Sequence, residues 1–145
     1  MLMTIPVWVL LFFALWTLLL LVVSVGVYRL SRIFTGRSSA REFAFPDLDQ
    51  SDRHRRATRA HLNCVENLPV FGAIVLAITV SDLHSPLLDC LAITFLAARI
   101  MQSLIQLSFR QTGRVTMFRF GFFVVQLICM FWMGAYVLWK GMGSG

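Results

Sequence analysis

The chain has 145 residues, of which 58% are hydrophobic and only 14% charged, well under the roughly 25% charged of soluble globular proteins. That excludes an ordinary soluble domain and points to an integral membrane protein. The net charge of +6 comes from twelve arginines and one lysine against seven acids. Because the arginines gather beside apolar runs, they read as topology signals and contacts to anionic lipids or ligands, not as a nucleic-acid surface.

The first apolar run extends from about Ile5 to Tyr28, enough helix to cross the ~30 Å hydrocarbon core. No Lys or Arg precedes Arg29, so the run is expected to be an uncleaved first helix and not a signal peptide. Pro6 near its start suits an early helical position, where a missing N–H costs little. Residues 29–56 form the one long polar segment, with seven arginines, four acids and the breakers Gly36, Ser38, Ser39 and Pro46. This pattern predicts a solvated loop. Arg29 and Arg32 stand at the end of the first helix, where they can turn inward.

The second span is expected over about 57–80. Arg59, Asn63 and Glu66 fall at i, i+4 and i+7 and so project from one face. Pro69, inside the span, removes a backbone hydrogen bond and is expected to bend it. Ser81 to Pro86 is a tight turn with Asp82 and no basic residue. The third span, about 87–109, carries Arg99, Gln102 and Gln106 at i, i+3 and i+7, a second one-sided stripe. An arginine this deep in an apolar run wants an acid, and Glu66 is the acid best placed to meet it, directly or through a bound ligand. Arg110 to Arg114 make a short basic loop before the fourth span, about 117–139, in which Arg119 and Gln126 share a face. Trp132, Tyr136 and Trp139 gather at its far end, as interfacial aromatics do.

The chain therefore reads as a single all-α membrane domain over 1–145, a bundle of four transmembrane helices. Both loops after odd-numbered helices are basic, which places them in the cytoplasm and both termini on the other side. Either a bacterial inner membrane or the endoplasmic reticulum fits. Cys64, Cys90 and Cys129 lie one to each of three apolar runs without CxxC or Cys/His spacing, and His54, His61 and His84 are scattered. No metal site and no disulfide framework is expected. Each polar stripe is either glue between helices or part of a cytoplasm-facing pocket. An arginine-rich pocket with Asn, Gln and Glu suits an anionic or zwitterionic guest carrying carboxylates and peptide groups. Spacing alone does not choose among such guests.

Arg59-Ala60-His61-x-Asn63-x-x-Glu66-x-x-Pro69 resembles the second-helix signature of the MAPEG family, the membrane-associated proteins of eicosanoid and glutathione metabolism. Ala98-Arg99 and Arg114 resemble later landmarks of that family, and the four-helix layout matches along essentially the whole chain. The resemblance implies a homotrimer with glutathione bound between subunits, and a hydrophobic or lipid substrate arriving from the bilayer. It implies that Arg59, Asn63 and Glu66 hold glutathione, assisted by Arg29 or Arg32; Arg99, Gln102 and Gln106 of the third helix are candidates for the same pocket from their own charge and amide chemistry. It implies that Arg114 stabilises the thiolate, although a one-residue gap leaves Arg110 as the other match. The activity implied is that of a glutathione transferase or peroxidase.

This chain departs from the family where dedicated eicosanoid synthases carry aromatic hydroxyls: Gln102, Gln106 and Phe118 stand there, and Leu62 replaces a basic residue of some relatives. Those differences keep open a second reading, a non-catalytic lipid-binding or scaffold member. A small multidrug-type exporter is a third, but it needs a carboxylate free to meet cations, and Glu66 sits among arginines.

Overall fold

The computed structural model describes residues 2–26, 30, 34, 52–110 and 112–143. Arg29 and Arg32 lie outside the described residues. Among the described residues every regular element is helical: α1 (Ile5–Leu21) with a π-helical turn at Val22–Gly26, α2 (Asp52–Val80), α3 (Pro86–Ser108) and α4 (Gly113–Gly143). Each of the four is long and apolar enough to cross a membrane, so the protein is a multi-pass integral membrane protein.

Two helices exceed their sequence-predicted bounds. α2 begins at Asp52, five residues before its apolar pattern starts, and takes the end of the expected 29–56 loop into helix. α4 runs over 31 residues, about 46 Å at 1.5 Å per residue, longer than the ~30 Å hydrocarbon core. Hydropathy reports only the stretch inside lipid; a helix continues into the interface wherever its backbone bonds are kept. The first span is shorter in α-form than predicted, since its last described turn at Val22–Gly26 is π-helical. α2 runs through Pro69 as one helix.

The helix ends follow from local sequence. Pro6 and Pro86 occupy the first turns of α1 and α3, where proline's missing N–H has no intrahelical partner to lose. Ser85 caps α3, its hydroxyl accepting from the Leu87 N–H at 3.3 Å. α2 ends in a Schellman closure: the Asp82 N–H donates to the Thr79 carbonyl and the Leu83 N–H to the Ile78 carbonyl. Asp82, with φ of 50°, takes the left-handed position that glycine usually fills.

α1 shows how the bundle buries itself. It is apolar all round, yet only Pro6, Val9, Phe13, Thr17 and Leu20 turn inward, while Trp8, Leu11, Phe12, Leu15 and Leu18 remain exposed for lipid to cover. At the centre Phe13, Phe71 and Phe95 bring α1, α2 and α3 together. Phe71 and Phe95 stack with centroids 4.2 Å apart, and Phe13 meets both edge-on at 6.0 and 5.4 Å. Because lipid is as apolar as these rings, the gain is packing and not water release. α4 joins this core through Cys129, Met130 and Met133.

Candidate functional site

The two polar stripes predicted from sequence meet, but they do not face the same way. On α2, Ala57, Ala60, Cys64, Phe71, Val75 and Ile78 form the buried line. At about 100° per residue, Glu66 lies roughly 200° past Cys64, and Arg59 and Asn63 sit near the same outer side. Arg59 and Glu66 are accordingly exposed and Asn63 half-buried. Asn63 is the edge of the stripe that reaches α3: its Nδ2 donates to Gln106 Oε1 at 3.3 Å. Asn67 folds back on the same helix, donating to the Asn63 carbonyl at 3.1 Å.

The α3 stripe is turned inward. Arg99, Gln102 and Gln106 are only 1%, 6% and 2% exposed. Gln102 is the junction of the network. Its Oε1 accepts from Arg99 Nη1 at 3.3 Å and from Gln126 Nε2 of α4 at 2.8 Å. Its Nε2 donates to the Arg119 carbonyl at 3.4 Å, tying α3 to α4 near the start of the latter. Ser103 Oγ donates to the Arg99 carbonyl at 2.9 Å and lies 3.8 Å from Cys64 Sγ.

The direct pairing expected between Glu66 and Arg99 is not formed: Arg99 bonds to Gln102, and no ion pair within 4.0 Å joins it to Glu66. The reason is the rotation just described, which carries Glu66 to the outer side of α2 while Arg99 points into the bundle. Arg114 stands on the first turn of α4 and is exposed, as is Arg110 in the loop before it. Within one chain, no hydrogen bond or ion pair among the described residues brings Arg114 to the α2 stripe.

Several participants were not picked out by sequence reasoning. Gln126 was visible as a polar residue on one face with Arg119, but its partner on α3 was not. Cys64 and Ser103 belong to the same buried layer. His61, inside the second-helix motif, ties α2 to α1: its Nδ1 lies 3.1 Å from the Thr17 carbonyl, a contact that requires the proton on Nδ1. The signal for His61 and Gln126 was their polarity within apolar runs; the information missing was which neighbour each would face.

The arrangement thus has two layers. An outer one, Arg59, Glu66 and Arg114, presents both signs of charge on exposed faces of membrane helices. An inner one holds α2, α3 and α4 in register behind it. Asn63 joins them. α4 also carries an apolar groove of about 840 Å³ lined by Leu127, Phe131, Trp132, Tyr136 and Trp139 among others. No match was found among curated proteins and none among solved structures. A model of the MAPEG family matches residues 6–139.

Proposed function

Because the chain belongs to the MAPEG family, and so to the membrane proteins of glutathione and eicosanoid metabolism in the general sense, we propose that it is a glutathione-dependent transferase or peroxidase. Its substrates on this reading are hydrophobic electrophiles or lipid hydroperoxides that arrive from the bilayer. The observation that carries the reading is the outward stripe of α2: Glu66, with no ion pair among the described residues, is exposed on a transmembrane helix beside the exposed Arg59, where an unpaired carboxylate is costly. A zwitterionic tripeptide bound between two copies of the chain supplies the cation that Glu66 needs and a carboxylate for Arg59 to meet.

In this reading the subunits form a homotrimer with glutathione between neighbours. Arg59 holds a carboxylate through its planar fork, Glu66 takes the ammonium, and Asn63 meets a peptide group. Arg29 is the first-helix arginine proposed to assist. Gln102, Gln106 and Arg99 back this layer: Gln106 holds Asn63, and Gln102 fixes the start of α4, which carries Arg114. Glutathione supplies the sulfur nucleophile. Arg114, without a hydrogen bond or ion pair among the described residues, is the cation proposed to stabilise the thiolate, which is the reactive form. The basic loops face the cytoplasm, and the site opens on that side.

One observation favours a second reading, a lipid-binding member without catalysis. The groove on α4 is almost wholly apolar in its lining, and Gln102, standing where dedicated synthases carry an aromatic hydroxyl, spends its amide on helix contacts. The two readings separate in one experiment: the ultraviolet difference spectrum of glutathione titrated into the purified, detergent-solubilised protein, beside Arg114→Ala. A saturable thiolate band lost in the variant supports the enzyme. A folded protein that binds lipid but gives no band supports the scaffold.

A further inference from the structure

The apolar groove on α4 ends at a cation. Its volume is about 840 Å³, and its lining runs from Val124 to Trp139, joined by Leu87 from the start of α3. Along the helix that is about 22 Å at 1.5 Å per residue, more than the ~15 Å of hydrocarbon in one leaflet. Next to Trp139 stands Lys140, the one lysine of the chain. Its Nζ lies 5.4 Å from the centre of the Trp139 ring and 5.9 Å from that of Tyr136, and both rings line the groove. The two aromatics thus hold the ammonium at the groove's mouth. Lys140 forms no ion pair among the described residues. Asp82, at the same end of the bundle, pairs with His84 at 3.1 Å, and neither it nor Asp89 pairs with Lys140.

This cation departs from the charge pattern of the bundle. Arg114 and Arg119 stand at the start of α4, and Arg55, Arg56 and Arg59 at the start of α2. The positive-inside rule accounts for a basic cluster at that one end, and it does not ask for a lysine at the other. An apolar trough with an ammonium at its mouth matches an amphiphile with an acyl chain below and a phosphate above, since lysine meets phosphate as a point charge. A second copy of the chain fits less well. Its α1, the most apolar of the four spans, carries no acid between Ile5 and Leu21. Seated in the groove, that helix would leave Lys140 unmatched.

We propose that the groove holds one anionic phospholipid in a fixed position, an acyl chain lying from Trp139 toward Val124 and the phosphate on Lys140. The proposal deepens the lipid-binding reading by naming the lipid, and it rests on that reading only in that the groove takes an acyl chain. It holds for an enzyme as well. The groove begins about 15 Å along α4 from Arg114, so its lipid is a resident of the fold and not the electrophile that glutathione would attack.

The test is tryptophan fluorescence of the full chain in phosphatidylcholine vesicles, with Trp8→Phe and Trp16→Phe so that emission comes from Trp132 and Trp139 of the groove. Brominated phosphatidylglycerol is compared with brominated phosphatidylcholine as quencher. The anionic lipid should quench with about fivefold higher apparent affinity. Lys140→Gln should bring the two lipids to parity. Ala135→Phe, which puts a ring into the trough, should do the same with Lys140 in place. The protein with all its tryptophans should show the same preference in weaker form, so the test survives a double variant that does not fold. Equal quenching by the two lipids overturns the proposal, as does a preference that persists in Lys140→Gln. A preference that survives Ala135→Phe shows surface charge attraction alone, and the groove assignment falls. Quenching by neither lipid means that protein covers the groove, and a second copy takes the lipid's place. A lipid preference without a thiolate band on adding glutathione removes the enzyme reading and leaves this site standing; a thiolate band without the preference does the reverse.

Discussion

The polar stripe of α2 and that of α3 have nearly the same spacing and similar chemistry, yet the bundle treats them oppositely. Arg59 and Glu66 are exposed, whereas Arg99, Gln102 and Gln106 are buried to 6% exposure or less. One stripe faces outward; the other is largely spent on holding helices together. A one-sided polar stripe in a membrane helix is therefore not by itself a ligand site. Its rotation relative to the neighbouring helices decides whether it presents chemistry or supports it.

This contrast is open to direct attack. The largest effect is expected from the outer layer: on the proposed glutathione-dependent activity, Arg114→Ala should lower kcat by about 100- to 1,000-fold while leaving the oligomeric state and the unfolding temperature unchanged. Steady-state kinetics beside size-exclusion chromatography checks both halves. The inner layer should behave in the reverse sense. Gln102→Leu strands Arg99 Nη1 and Gln126 Nε2 together, and is expected to destabilise the fold by about 1–3 kcal/mol, read as a lower Tm in the apo protein.

Glu66→Gln sharpens the distinction at smaller scale. It should raise the KM for glutathione about tenfold, the equivalent of ~1.4 kcal/mol, with stability shifted by no more than about 0.5 kcal/mol because the side chain is exposed. A Glu66→Gln protein that unfolds early would show that α2's stripe is structural after all. Asn63 bridges the layers, so Asn63→Ala should show both effects weakly. We expect a loss of about 0.5–1.5 kcal/mol from the Gln106 bond and a several-fold rise in KM, measured on the same preparation.

Much of the architecture was legible without coordinates. Runs of twenty or more apolar residues identify the four spans, since only a helix satisfies its own backbone in lipid. Pro6, Pro86 and Ser85 mark helix starts through their own stereochemistry. The boundaries slipped where polar residues are helical outside the hydrocarbon, at Asp52–Arg56 and at both ends of α4. For the candidate site, the membership of each stripe was readable, but the meeting of Asn63 with Gln106 was not. The direct pairing of Glu66 with Arg99 is not formed, because the rotation of α2 turns Glu66 to its outer side, which polarity alone does not reveal.

What the sequence by itself determined, then, is position along each helix and the angle between residues on the same helix, both set by the 3.6-residue turn. What only the tertiary structure decided is how each helix is rotated against the others: that Cys64 and not Glu66 faces α3, that Gln102 gathers Arg99, Gln126 and the Arg119 carbonyl, and that Thr17 receives His61. In water an amphipathic helix announces its inner face by being apolar there. In lipid both the inner face and the outer face are apolar, so α1, buried along Phe13 and exposed along Phe12, carries no mark of which is which until its neighbours pack against it.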